Sequence, residues 1–492
     1  MNRHIVVLGG GLSGLSSAFH LSRRYPEALI TLVEKTHRLG GWVSSERVQV
    51  RDGSGHTANI LVESGPRTLR PNAKSVLELI HLLGLKTSII TTPVTSSATK
   101  NRYLQIPETQ GLITLPNTLT SVFSPPMRTM LLPHVLKEPV KRRNRPSGIT
   151  DESVDSFMTR RFGPIFARTF GSALVHGIYA ADSRQLSVRA AFPSLWAMED
   201  RGWGSVVRGA LLPDTASPRV DYDVGDIPNM MKNVSVYSFT DGIGTLTGAL
   251  ATRLQNQPNV EILCDTPISS LGVAENGLLE VHLANGQKVN PTHIVSALPL
   301  PVLNNLLSPT SSLPHLTANP SSSVVVLNLI FPQTQPRLHP AGFGYLIPRP
   351  SSGYTLDNPG ILGTVFDSCA LSAQDSDAGN FTKMTVMMGG PNPITPSHTD
   401  LDAVLKQLSV HLTAPDDFLK VLPDPIYTRT HHHVDCIPTP TPGHLERMEE
   451  LKVTLAKGVW SGRLEVIGAG VRGVSLGDCV ESGKRVGENW IS

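Results

Sequence analysis

The chain has 492 residues with a formal net charge of +3, and 40% of its residues are apolar against 17% charged. This length supports about three domains with a sizeable core, and so mild a charge excludes a nucleic-acid partner argued from electrostatics. Four scattered cysteines (Cys264, Cys369, Cys436, Cys479) without C-x-x-C spacing exclude a disulfide framework or a zinc site, and suit a reducing compartment or buried thiols.

In chain order, Ile5 to Leu8 is the continuous apolar run of a strand buried on both faces. It begins so early that no cleavable signal or transit peptide is expected ahead of it, and import would need an internal address. Gly9, Gly11 and Gly14 follow in G-x-G-x-x-G spacing, with Gly10, Leu12 and Ser13 between them, and open a helix through Leu15, Ala18, Phe19 and Leu21. A second apolar run, Leu29 to Val33, ends on Glu34. Gly9 suits the tight turn, Gly11 admits a pyrophosphate to the positive end of the helix, Gly14 lets helix and strand pack closely, and Glu34 accepts hydrogen bonds from a ribose. With strand, helix and carboxylate in register, the stretch is read as a dinucleotide site. Lys35 to Trp42 then sets the cation Arg38 and a second turn, Gly40-Gly41-Trp42, beside the first. A nicotinamide that exchanges at each turnover needs little beyond the first loop. A permanently held, extended flavin gains from further backbone amides, so the expected cofactor is FAD.

A hairpin is expected over Val48 to Leu61 with Gly53 and Gly55 at its turn, then Glu63-Ser64-Gly65-Pro66-Arg67-Thr68 and a helix from Asn72 (N-cap) to Leu83, closed by Gly84. Arg67 either lies over the flavin or its phosphates or makes a surface salt bridge. From Thr91, eight prolines between Pro93 and Pro146 break the chain into short helical pieces. An apolar group (Val122, Phe123, Met127, Met130, Leu131, Leu132, Val135, Leu136) precedes a basic run (Lys137, Lys141, Arg142, Arg143, Arg145), which suits either a dip into an anionic bilayer or an interdomain surface with a solvated loop. The longest near-apolar run, Val324 to Phe331, is too short to span a membrane and reads as a core strand. Helix is expected over 151–177 and helix or loop over 183–198.

The strand Val236 to Phe239 marks a return to the first domain, followed by the turn from Asp241 and a helix through Leu254. Further strands are expected at 261–263, 278–283 and 293–298, with Asn276-Gly277 and Asn285-Gly286 as hairpin turns and the 293–298 strand joining that hairpin layer. Runs at 323–331, 342–347, 360–366 and 383–388 read as a curved antiparallel sheet able to roof a large flat ligand. His431, His432 and His433 alternate faces if in a strand, so a shared metal is not expected. Leu464 to Ile467 is a closing strand, and Gly473 to Asp478 leads into a helix from Cys479 whose amides and dipole suit a flavin ring.

The stretches VVLGGGLSGL (6–15), LVEKTHRLGGW (32–42), ESGPRTLRP (63–71), NRYL (101–104), HGIYAADSRQLSVRAAFPSLW (176–196), HIVSALP (293–299), GFGYLIP (342–348), GILGTVFDS (360–368), TVMMGG (385–390) and GVSLGDCVESG (473–483) together resemble the protoporphyrinogen IX oxidases of the eukaryotic, mitochondrial type, in the amine-oxidase-like flavoprotein superfamily. Trp42 belongs to this resemblance, since amine oxidases of the superfamily usually carry Arg there. Members often have Asn at the position of Gly477, a departure that leaves the backbone role intact. The resemblance implies an α/β chain (α+β overall). Its Rossmann-like FAD-binding domain, of the amine-oxidase and p-hydroxybenzoate-hydroxylase type, would cover 1–90, 236–305 and 455–492. A helical membrane-binding domain would cover 91–220, and an antiparallel-sheet substrate domain 221–235 and 306–454.

It also implies a chemistry: hydride leaves a methylene bridge of protoporphyrinogen IX for flavin N5, an N–H proton is lost, and O2 reoxidises the flavin to give hydrogen peroxide. Three rounds remove six electrons. Orientation does most of the catalytic work, and no acid–base side chain is assigned. Arg102 matches the arginine that pairs with a propionate. Leu346, Val365 and Met387 match apolar positions gripping the tetrapyrrole, and Gly177 a close backbone approach. Gly65, Pro66, Arg67, Ile268, Val474, Ser475 and Leu476 match cofactor contacts, with one non-covalent FAD per chain. The implied setting is peripheral on the intermembrane-space side of the mitochondrial inner membrane, as a homodimer in contact with neighbouring enzymes of heme biosynthesis. The competing readings are an amine or carotenoid oxidase of the same fold, and a flavoprotein or tetrapyrrole carrier without turnover.

Overall fold

The computed structural model describes residues 3–107, 109–118, 121–123, 125–213, 221–355, 360–394, 400–414 and 417–490. The other positions, among them 214–220 and 491–492 at the ends of expected domains, lie outside the described residues, as does the Val122 side chain of the expected apolar group.

The opening strand His4–Leu8 sits at the centre of a five-stranded parallel sheet. Leu29–Val33 and then Val260–Leu263 flank it on one side, and His293–Ser296 and then Leu464–Val466 on the other. Three of these strands, His4–Leu8, Leu29–Val33 and His293–Ser296, carry the double-sided burial of a parallel sheet; Ile5, Val6, Val7 and Leu8 are wholly enclosed. The same burial corrects one expectation. Ile294 and Val295 are both fully buried, so His293–Ser296 takes a central parallel position. The Asn276-Gly277 and Asn285-Gly286 hairpins form a separate three-stranded sheet of Ile268–Val273, Leu279–Leu283 and Lys288–Val289.

Val234–Phe239 pairs antiparallel with Ile89–Pro93 in its own ribbon, and its Tyr237 and Phe239 pack into the same core as Ile5 and Val7 of the opening strand. The helix expected from an Asn72 cap runs Lys74–Leu82 with Ala73 at the N-cap, because Asn72 spends its carbonyl on a local turn to the Lys74 amide. Gly84 ends it with φ +70, as a left-handed C-terminal glycine should.

The opening helix Leu12–Arg24 packs against the closing helix Leu476–Asn489. Their approach depends on missing side chains: a Cβ at Gly483 would fall 2.6 Å from the Ser16 Cβ, and one at Gly487 would fall 2.5 Å from the His20 Cβ. The Ser16 hydroxyl donates to the Val480 carbonyl at 2.9 Å. The closing helix starts on a reciprocal cap, Ser475 with Asp478.

The second sheet has seven strands in the order Tyr427–Pro438, Ser321–Pro332, Phe381–Gly389, Ile361–Val365, Gly344–Leu346, Tyr103–Leu104, Ile113–Thr114. One face packs on the helix Leu401–Leu412 through Leu327, Leu329, Val386, Met388, Val404 and Leu408. Neither that helix nor His444–Lys457 is foreseen from the sequence. The region expected to be helical, 91–220, supplies the strand Tyr103–Leu104 and the edge strand Ile113–Thr114; buried Tyr103 and Leu104 pair parallel with Tyr345 and Leu346. Short helices from Val154–Phe162 to Val206–Leu211 surround a core of Val154, Phe157, Phe162, Val175 and Leu186. No helix among the described residues is long and apolar enough to cross a membrane.

Because the two helices touch at Gly487, a valine there should lower unfolding free energy by about 1–3 kcal/mol, measured by chemical denaturation of the purified holoprotein.

Candidate active site

The first glycine turn is built almost wholly from backbone. Gly9 adopts φ +97 and donates its N–H to the Val33 carbonyl at 2.8 Å. A Cβ on Gly14 would lie 1.8 Å from the Gly9 carbonyl oxygen, so helix and strand meet with no room for one. Gly10 donates to Glu34 Oε2 at 2.8 Å. Gly11, the N-cap of the opening helix, differs from its neighbours: a Cβ there would meet nothing nearer than the Gly41 Cα at 4.0 Å. The open space in front of Gly11 faces the start of Leu12–Arg24, whose N-cap offers no side-chain hydrogen bond to the free amides. Leu12 and Ser13, in the first turn, are themselves buried.

The second glycine turn closes over the first. The Gly40 N–H donates to the Gly10 carbonyl at 2.8 Å, and Gly41, at φ +59, lies with its would-be Cβ 3.1 Å from the Gly11 Cα. Arg38 braces this turn instead of reaching toward the helix start. It donates from Nη1 to the carbonyls of Leu39 (3.1 Å) and Val43 (2.7 Å), and from Nη2 to that of Gly41 (2.7 Å). Glu34 also accepts from the amide and hydroxyl of Thr36 through Oε1, at 2.9 and 2.8 Å. Oε2, which takes the Gly10 amide alone among the described residues, keeps a second lone pair for a further donor. Ile268 lies at this end, since the neighbouring Thr266 amide donates to the Glu34 carbonyl at 2.9 Å.

The Gly65-Pro66-Arg67-Thr68 strip runs past Trp42, whose carbonyl oxygen would lie 2.9 Å from a Cβ on Gly65. Gly65, Pro66 and Thr68 are partly open. Arg67 is buried and donates from Nη1 to both oxygens of Asp367, at 3.1 and 3.3 Å. The surface salt bridge considered from sequence is therefore an interior one. Trp42 stands edge-on to His433, with centroids 5.1 Å apart, and the His433 Nε2 donates to the Ser64 carbonyl at 2.6 Å. His431 stacks parallel to His433 at 6.1 Å, while His432 is exposed on the opposite face. The Val474-Ser475-Leu476 turn joins the two halves: Leu476 packs with the core of the parallel sheet and Val474 with that of the short helices.

The candidate substrate wall is legible in its exposure pattern. Across the strands Gly344–Leu346, Ile361–Val365 and Phe381–Gly389 every residue is buried except Leu346, Val365 and Met387. Strand register puts Leu346, Gly363, Met387, Val326 and His431 in one row, and Gly344, Val365, Thr385 and Asn328 in the next. Directly paired residues share a face, and so do residues two apart along a strand. The three half-open side chains therefore point to the same side, away from the helix Leu401–Leu412. Gly177 closes against them; a Cβ there would fall 2.9 Å from both Leu346 methyls. Arg102 lies at the sheet edge with its guanidinium 5.8 Å from the Phe343 ring centre. Its Nε is buried without a hydrogen-bond partner among the described residues, and burial together with the Arg70 charge pulls its pKa below the ordinary arginine value.

Sequence reasoning does not find the polar groups beneath this wall. Asp367 accepts from Thr385 Oγ1 at 2.7 Å as well as from Arg67, and the Asn328 amide donates to the Glu63 carbonyl at 3.2 Å and to Thr385 Oγ1 at 3.0 Å. The one available signal is a polar residue, Asn328 or Thr385, inside a largely apolar strand; Asp367, at the start of the helix Asp367–Ala370, gives none. Glu63 is also missed. It accepts from Ser45 Oγ at 2.6 Å and the Ile243 amide at 2.8 Å, and burial raises its pKa from 4.5 to about 7.

The family model for flavin containing amine oxidoreductases matches residues 12–489. The chain belongs to this family. Within it the chain is similar to protoporphyrinogen oxidase of Schizosaccharomyces pombe, at 34% identity over 97% of this chain and 96% of that one, and to the Homo sapiens enzyme of the same name, at 33% over 99% and 98%. Among solved structures, reduced UDP-galactopyranose mutase (TM-score 0.66, 13% identity) and cyclohexylamine oxidase from Brevibacterium oxydans (TM-score 0.62, 14% identity) each match over 99% of this chain and share its fold. For a flavin containing amine oxidoreductase the cofactor is FAD, and the residues present fit it. The space before Gly11 faces uncapped helix amides suited to a pyrophosphate, and Glu34 retains acceptor capacity for a ribose.

The folded-state pKa of Glu63 lies above its ordinary value, so its stabilising contribution is complete below about pH 4.5 and is lost as pH rises through about 7. Between pH 5 and pH 8 the wild type should lose up to about 3 kcal/mol more stability than Glu63→Gln, read from denaturant unfolding at the two pH values.

Proposed function

We infer that this protein is an oxygen-dependent protoporphyrinogen IX oxidase of heme biosynthesis, taking six electrons from protoporphyrinogen IX to give protoporphyrin IX with release of hydrogen peroxide. The observation that carries the reading is the wall of Leu346, Val365 and Met387. Three apolar side chains stay half-open on one face of three otherwise buried strands, opposite a glycine and beside an arginine whose Nε has no hydrogen-bond partner among the described residues. A tetrapyrrole offers what such a wall lacks, a broad apolar surface and carboxylate arms.

Bound FAD supplies the oxidising ring. The chain's part is to hold and orient. Gly9 to Gly14, Glu34 and Gly40 to Trp42 serve the dinucleotide end, and Gly65 to Thr68 and Val474 to Leu476 serve the ring end. Leu346, Val365 and Met387 exclude water from the reacting carbon, and Arg102 fixes the macrocycle by one propionate. No side chain is required as acid or base, because conjugation of the product drives the loss of hydrogens once the geometry is set.

The setting we propose is the surface of the mitochondrial inner membrane, on the intermembrane-space side. What supports surface attachment is a set of large apolar side chains left exposed on the short-helix region, Leu136, Val140, Ile165, Trp203 and Leu211, beside exposed Lys137 and Arg142. A homodimer, and contact with neighbouring enzymes of the pathway, belong to the same reading.

The test is porphyrin fluorescence from anaerobically prepared protoporphyrinogen, with peroxide measured in parallel; rapid bleaching of the flavin by an amine in its place would overturn the reading. Arg102→Ala should raise KM by about tenfold or more while flavin content stays at the wild-type level, and equal loss of both would make Arg102 structural. Replacing Val140 and Leu211 together with glutamate should weaken co-sedimentation with phosphatidylglycerol-containing vesicles by roughly tenfold, without slowing turnover of detergent-solubilised substrate.

A further inference from the structure

We propose that His176 is a positioning residue of the substrate slot: with Tyr354 it straps the helix that carries Gly177 to the strand that carries Leu346, and so sets the width of the gap a tetrapyrrole enters. The proposal rests on the function inferred above and adds to it a residue that touches neither cofactor nor substrate.

The helix Ser172–Tyr179 and the chain leaving the strand Gly344–Leu346 are stitched together at three points. His176 Nδ1–H donates to the Ile347 carbonyl at 2.7 Å, and the Tyr354 hydroxyl lies 2.9 Å from His176 Nε2. The Arg349 amide donates to Ser172 Oγ at 2.8 Å. Tyr354 is held on another side by the Arg184 guanidinium, 5.7 Å from its ring centre, and Arg184 is itself ion-paired to Asp182 at 2.6 Å. Arg349 reaches Asp155 at 2.8 Å, which fastens the same segment to the helix Val154–Phe162.

The chemistry of the imidazole fits a fixed strut. With Nδ1–H committed to a carbonyl, Nε2 accepts a hydrogen bond from the tyrosine hydroxyl, an arrangement that requires the neutral ring. Burial holds the His176 pKa down at about 4, so the ring is neutral at working pH.

The position of the strut gives it its effect. His176 is adjacent to Gly177, and Ile347 is adjacent to Leu346, so the hydrogen bond lies one residue from the contact that bounds the slot. Gly177 has no side chain with which to take up slack. The spacing of helix and strand is therefore left to the side-chain hydrogen bonds beside them, and of the three named above the bond from His176 to Ile347 is the shortest.

The experiment compares the holoenzyme with His176→Ala, His176→Gln and Tyr354→Phe. It measures KM and kcat for protoporphyrinogen, the Kd of a diphenyl-ether inhibitor by flavin-fluorescence titration, FAD content and Tm. His176→Ala should raise KM and inhibitor Kd together by about five- to tenfold, with kcat within about twofold and FAD content unchanged. Tyr354→Phe should raise both by about threefold, and the double variant should be no worse than His176→Ala alone, as coupled residues require. His176→Gln, which keeps a donor for the Ile347 carbonyl, should recover part of the affinity. If KM and Kd stay at wild-type values while Tm falls, or if the two single effects multiply, the strap is merely structural and the proposal is overturned. A wild-type enzyme that neither turns over protoporphyrinogen nor binds the inhibitor would overturn the functional reading itself, a result separable from variants that bind as well as wild type. Should His176→Ala fail to fold, Tyr354→Phe decides alone.

Discussion

A guanidinium and a carboxylate, each about 5% exposed, meet in the interior where the cofactor loop touches the second sheet: Arg67 and Asp367. Taking either charge out of water costs several kcal/mol, and removing one partner from such a pair commonly costs about 3–5 kcal/mol because the other is stranded. The remaining acceptor capacity is satisfied with care. Thr385 donates to Asp367, and the Asn328 amide ties Thr385 back to the Glu63 carbonyl. This closed path makes the Gly65 to Thr68 strip and the wall of Leu346, Val365 and Met387 one rigid unit. An oxidase of this kind needs its ring and the reacting carbon held about 3–3.5 Å apart, and two independently moving halves would not hold that distance.

The short-helix region uses buried charge differently. Glu138 and Arg161 are completely enclosed, and Glu138 also accepts from Ser205 Oγ and the amides of Val206 and Val207. Glu199 takes Arg145 and Arg160. The basic run 137–145 is thereby divided. Lys141 donates to the Arg161 carbonyl, Arg145 lies 3.8 Å from the Trp196 ring centre, and only Lys137, Arg142 and Arg143 remain exposed. What looks in sequence like a uniform cationic stretch is partly the internal scaffold of the short-helix region.

Much of the cofactor half is legible in the sequence because its rules are local. The glycine spacing, the strand that ends on Glu34 and the hairpin turns each depend on a few neighbouring residues and a fixed backbone geometry. The place of His293–Ser296 was not legible, since an apolar four-residue run fits either a hairpin layer or a parallel sheet and only distant strands decide. Arg38 was assigned toward the cofactor on chemical type alone; its reach back to three carbonyls depends on the tight path of Gly40 and Gly41. The strand Tyr103–Leu104 is too short to show any period, and Asp367, Thr385 and Asn328 acquire meaning only when three segments from far apart in the chain are set side by side.

The parallel sheet has a consequence for biogenesis. Its central strand is made first, but its neighbour on one side comes from residues 293–296, and the helix that covers the opening helix comes from 476–489. Both pieces emerge long after the central strand, so the nucleotide cradle stands half-walled until they arrive. Loading with the yellow prosthetic group therefore waits on residues 476–489, and a chain truncated before them would be colourless.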